Sequence, residues 1–120
     1  MTSPAIVFRS QRTTPDVDYP RPERRLEGNP KRTTWNHYTN SSGELFAGEW
    51  TSEIGSWRIE FGQTEIEFFH LIEGRVRITD DAGQAVEIGP GESLVIPAGF
   101  KGTFAVLAPV RKHYLIVERK

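Results

Sequence analysis

The run Glu65-Ile-Glu-Phe-Phe-His-Leu-Ile72, followed by Glu73-Gly74 and then Arg75-Val-Arg-Ile-Thr79, decides how this chain folds. Its β-branched and aromatic side chains suit a pleated, half-buried surface rather than a helix. Strand alternation puts Glu65, Glu67, Phe69 and Leu71 on one face, with Phe68, His70 and Ile72 on the other. The following Asp80-Asp81-Ala82-Gly83 reads as a hairpin turn: aspartates accept local backbone bonds and Gly83 supplies a positive φ.

The same pattern extends on both sides. Short apolar runs separated by Gly, Asp and Pro predict strands at Leu45–Thr51, Ser56–Phe61, Glu65–Ile72, Arg75–Thr79, Ala85–Ile88, Ser93–Ile96, Thr103–Leu107 and Lys112–Glu118. Gly89-Pro90-Gly91 marks a second turn. No window carries a capped 3.6-residue apolar period, so little helix is expected. Strands this short must bury their apolar faces against one another, which a sandwich or closed barrel achieves. Arg75, Arg77, Glu87 and Glu92 read as solvent-facing strand positions.

Upstream the texture changes. Five of eight prolines (Pro4, Pro15, Pro20, Pro22 and Pro30) fall in the first thirty residues. Proline fixes φ and removes a donor, so Thr14–Pro30 cannot form a helix interior or a central strand. Residues 1–32 are therefore read as an irregular arm, in which Ala5–Arg9 alone has the character of an edge strand, and residues 33–120 as the folded domain. The arm holds seven Lys/Arg against four acids, a net +3; the remainder is net −4, which leaves −1 for all 120 residues. The arm's basic residues are interrupted by acids, which favours docking on the acidic domain over nucleic-acid binding. No helix-turn-helix pattern is present.

With 37% hydrophobic and 26% charged residues, the composition is that of an ordinary globular domain. No run approaches the roughly 18 apolar residues of a membrane span. Met1–Ser10 lacks the basic-then-apolar pattern of a secretory signal. Cysteine is absent, which removes disulfides, thiolate metal sites and cysteine nucleophiles and agrees with a cytoplasmic location.

Two stretches together resemble the cupin superfamily. Glu67 stands six residues before Gly74, as in its first motif, and Gly91-Glu-Ser-Leu-Val-Ile-Pro97-Ala-Gly99 matches the second. Gly48-Glu-Trp50, Gly55-Ser-Trp57-Arg58 and Pro109-Val-Arg-Lys-His-Tyr114 are similar to the small cupins named after the (S)-ureidoglycine aminohydrolase cupin domain. The resemblance covers Trp35 to Glu118 and implies an all-β jelly-roll barrel, with Glu67 pointing into it. It also implies a mouth that holds a metal or small ligand, and a dimer.

In metal-bearing cupins three histidines join the glutamate. Here those positions fall on Phe61, Gln63 and Gly102, so only Glu67 keeps a ligand type. Tight transition-metal sites need three or four well-placed donors, so stoichiometric Zn, Ni or Fe is not expected. Gln63, Glu65 and Glu67 in line offer oxygen to a hard cation such as Mn or Mg. Of the histidines, His37 is remote, His70 lies opposite Glu67, and His113 sits on a strand apolar on both faces, with either facing open. If Phe61 occupies a former ligand position, strand alternation assembles a pocket from Trp57, Phe61, Gln63, Glu65, Glu67, Phe69 and Phe104, with His113 a further candidate. Arg58 or Lys101 is available to pair with its carboxylates.

Three functions fit. One is a metal-free pocket for a small polar metabolite. Another is an aminohydrolase- or isomerase-like enzyme acting on a nitrogenous or carboxylated metabolite, with Glu67 as general base or metal ligand. The third is a dimeric accessory protein resembling the cupins of ethanolamine utilization. A domain this small buries only about 60–65% of the surface its unfolded chain exposes, and self-association would cover more.

Overall fold

The computed structural model describes residues 3–120; Met1 and Thr2, the first residues of the segment read for a leader, lie outside them. Nine strands form one antiparallel sheet: β1 (Asp16–Asp18), β2 (Arg25–Glu27), β3 (Arg32–Thr39), β4 (Leu45–Ser52), β5 (Gly55–Glu60), β6 (Glu65–Asp80), β7 (Ala85–Ile88), β8 (Ser93–Ile96) and β9 (Lys101–Glu118). The sole helical element among the described residues is a 3₁₀ turn at Phe8–Ser10.

Two long strands make the barrel. The first half of β6 pairs with β8 and with the second half of β9, which continues through β4 and β3 to β1. The second half of β6 pairs with β7 and with the first half of β9, which continues through β5 to β2. The sheet thus folds on itself as two walls sharing β6 and β9, the expected jelly-roll arrangement. The apolar faces meet between the walls, where Phe69, Leu71, Val76, Ile78, Ile96, Phe104 and Val106 are buried.

Two pairs of strands expected from the sequence are single strands. Glu65–Ile72 and Arg75–Thr79 are continuous as β6, and Thr103–Leu107 and Lys112–Glu118 as β9. The register shifts across Leu71–Val76, and the buried positions of β6 change from odd (Glu67, Phe69, Leu71) to even (Val76, Ile78). One extra residue in a strand does this, and it also bends the strand. Gly74 makes the bend: its φ is +94°, and a Cβ there would run into the Pro109 carbonyl oxygen. Pro109, which has no N–H to offer a ladder, lies opposite this irregularity. β9 keeps one parity throughout, with Phe104, Val106, Val110, Lys112 and Tyr114 all buried.

The arm is more ordered than its prolines suggest. β1 pairs with β3 and β2 with β5, while β3 itself lies in a stretch where no strand was expected. Ala5–Arg9 is not an edge strand. Its Phe8 ring instead sits 4.8 Å from the His37 ring and 5.1 Å from that of His113, on the sheet's outer face. The arm's charges do dock on the domain: Arg24 reaches Glu60 at 3.3 Å. The two turns form as read, with Asp80 Oδ1 accepting bonds from the Ala82 and Gln84 amides, both at 2.9 Å. Arg75 and Arg77 both pair with Glu87 on the solvent side.

Candidate functional site

Inward positions of β3, β4, β5, β6 and β9 enclose a cavity of about 360 Å³ between the walls. Its floor is Trp57, Glu67, Phe104, Lys112 and Tyr114, all buried; Arg32, Thr34, Asn36, Phe46, Trp50 and Ile116 complete it.

The floor is organised around one ion pair. Lys112 Nζ donates to Glu67 Oε2 at 2.7 Å, with the side chains 6% and 11% exposed. The ammonium also lies over aromatic faces, 4.2 Å from the Phe69 ring centre, 4.5 Å from that of Trp50 and 5.3 Å from that of Phe104. Ring quadrupoles attract a desolvated cation, so Lys112 is held by a carboxylate on one side and π faces around it. Neither Arg58 nor Lys101 takes this role: Arg58 turns outward to Asp81 at 2.7 Å, and Lys101 is exposed.

Beside the pair, the Tyr114 hydroxyl donates to Asn36 Oδ1 at 2.8 Å. The two lie on either side of Gly48 across three strands. A Cβ on Gly48 would come within 2.6 Å of that hydroxyl, so the glycine is what leaves room for the reach. Burial, with smaller contributions from the charges of Glu67 and Asp16, pushes the Tyr114 phenol up to about 12. It is therefore a neutral hydrogen-bonding group at physiological pH.

Of the residues expected in the pocket, Trp57, Glu67 and Phe104 line the cavity, and Phe69 lies in the buried core beneath Lys112. Phe61 packs half-buried against the core away from the cavity, and Gln63 is exposed in the turn before β6, against Gly99. His113 is on the outer face, where it donates to Glu49 at 3.1 Å. Arg111 pairs with the same carboxylate. Lys112, Tyr114, Asn36, Trp50 and Arg32 were not placed in the pocket from the sequence. The unbroken alternation of β9 from Phe104 would have placed Lys112 and Tyr114 inside. Treating Thr103–Leu107 and Lys112–Glu118 as separate strands hid that link.

Glu65 is on Glu67's side of β6 but only half-buried. Desolvation, helped by the charges of Glu118 and Glu67, raises its pKa above the ordinary carboxylate range. Ionised Glu65 thus opposes folding at neutral pH, and protonation on acidification removes that penalty. Glu65→Gln is expected to raise Tm at pH 7, by less as the pH falls toward 4; an unchanged or lower Tm at pH 7 would contradict this.

The donor set does not fit a metal centre. Phe61 and Gly102 carry no donor atoms, Gln63 is turned away, and Lys112 holds an oxygen of Glu67. No group of three His, Cys, Asp or Glu able to hold a metal occurs among the described residues. At the second-motif histidine position, a Cβ on Gly102 would collide with the Thr79 carbonyl oxygen.

Residues 40–114 match the model of the EutQ-like cupin domain. The chain belongs to this cupin family. Solved cupins share its fold. A DUF861-family protein of unknown function from Pseudomonas syringae superposes with a TM-score of 0.77 at 24% identity, over 91% of this chain and 46% of the other, so the present chain spans about half of that relative. The EutQ protein of Clostridium difficile gives 0.67 at 20% identity over 91% of this chain and 97% of its own. An ethanolamine utilization protein Q from Salmonella typhimurium gives 0.64 at 14% identity, over 92% and 100%. No curated protein matches the sequence. Among the described residues of this cupin, no helix is long and apolar enough to cross a membrane.

Proposed function

We propose that this cupin binds a small polar metabolite between its walls without a transition metal. The observation that carries this reading is the buried Lys112–Glu67 pair at 2.7 Å, set among aromatic rings in the cavity. A lysine ammonium supplies the positive charge that balances the one retained cupin ligand position. The Tyr114–Asn36 pair and the aromatic wall then offer the few fixed polar groups on an apolar surface that small-molecule sites use. Elemental analysis of protein purified without added metal should show no stoichiometric Zn, Ni or Fe. A thermal-shift screen should find metabolites that raise Tm in the presence of chelator, because a ligand of the native state stabilises it. One metal per chain that disappears in Glu67→Ala would overturn the reading and favour a metal-dependent enzyme. The alternative of an accessory protein like the ethanolamine-utilization cupins rests on likeness of fold.

The same reading includes a homodimer. Register places Val95, Phe68 and Leu115 side by side on the outer face, all exposed. Such a contiguous apolar row is typical of an association surface. Light scattering at high micromolar concentration is expected to give about twice the 13.6 kDa chain mass. Phe68→Glu should return it to a monomer; a monomeric wild-type chain would reject the proposal.

A further inference from the structure

We infer that the ligand of this cavity is a small monocarboxylate with an apolar body, and that Arg32 receives its carboxylate in the place now held by Asp18. The inference rests on the pocket reading above and adds the ligand's chemical class. Two polar pairs are formed between residues of the cavity itself, Lys112 with Glu67 and Tyr114 with Asn36. Arg32 differs. It lines the cavity, yet its partner comes from the arm: Nε and Nη2 donate to the two oxygens of Asp18 at 2.9 and 2.8 Å.

This is the two-bond fork by which guanidinium recognises a carboxylate, so the site already has the geometry for one. The guanidinium lies 4.9 Å from the Trp57 ring centre, which orients it, and its side chain is 18% exposed. Asp18 is 63% exposed and sits on a three-residue strand exposed throughout. The Asp18 carboxylate stays largely hydrated while it holds the fork, so the solvent it keeps offsets part of what the two bonds contribute. An incoming carboxylate whose body also covers Trp50, Trp57 and Phe104 therefore outcompetes Asp18. The aromatic edge of the cavity is suited to that body: the Trp57 and Phe104 rings stack at 5.2 Å, with Trp50 edge-on to both.

Charge sets the limit of one carboxylate. Lys112 is paired with Glu67, so among the residues lining the cavity Arg32 is the cation whose partner comes from outside it, which suits one carboxylate. Arg32 and Asp18 both lie outside the family-matched residues 40–114.

Tryptophan fluorescence of the full chain, titrated with benzoate, benzamide and phthalate, tests the inference. Benzoate should quench saturably, benzamide and phthalate at least tenfold more weakly. Asp18→Asn should tighten benzoate severalfold by removing the competing carboxylate from the fork. Arg32→Met should abolish benzoate binding, and Arg32→Lys, which keeps the charge but loses the fork, should weaken it strongly while the Tm shows a folded protein. Benzamide binding as well as benzoate, or benzoate binding unchanged in both Arg32 variants, would overturn the carboxylate assignment and leave the pocket reading standing. No quenching by any probe in wild type or Asp18→Asn would overturn the carboxylate assignment; if the metabolite screen also fails, the pocket reading falls separately.

Discussion

Replacing Lys112 with Met should lower the unfolding free energy by about 3–5 kcal/mol at pH 7, the cost of leaving a buried carboxylate without its partner. Glu67 and Lys112 are both buried, and the same lysine touches three aromatic rings. The variant therefore loses cation–π contacts as well as charge compensation. The double variant Lys112→Met with Glu67→Leu should recover most of the loss, since apolar groups of similar volume replace a buried pair at little cost. Urea denaturation at pH 7 measures both. A single variant within about 1 kcal/mol of wild type at pH 7 would show that the pair is not the centre of the site.

Gly102→His, the substitution that would restore a cupin histidine, should cost about 3 kcal/mol or more and install no metal. The obstacle is backbone: any Cβ there collides with the Thr79 carbonyl, and Gly102 pairs with Asp80 in the β6–β9 ladder. The strands would have to separate, with loss of ladder bonds, before the imidazole found room. Gln63→His is the control; Gln63 is exposed, so its change should stay within about 0.5 kcal/mol. Thermal denaturation with and without Zn or Ni reads both effects. A Gly102→His protein that melts like wild type and gains stability with metal would refute the argument.

Much of this was legible in the sequence where the signal is local. Alternation through Glu65–Leu71 is a property of consecutive residues, and it put Glu67 and Phe69 on one face; the likeness to cupins turned that face inward, as found. The turn at Asp80–Gly83 follows from what aspartate and glycine do to their own backbone. His113 was ambiguous because Leu115 and Val117 on its face and Ile116 on the other are all apolar, so alternation gave no answer there.

The amino-acid sequence by itself determined the all-β class and most strand positions, which depend on side-chain type and period-two spacing, and its motif likeness to cupins implied the inward Glu67 and the three replaced histidines. Only the tertiary structure decided what stands against Glu67. Lys112 is 45 residues away, and it meets the carboxylate through the cross-strand register of β6 on β9, shifted by the bulge at Gly74. The same holds for Arg32 and Asp18, joined across β1 and β3, and for Tyr114 and Asn36, which meet over Gly48. Register and bulges are fixed by the packing of two whole walls, a global condition that no short window of residues carries.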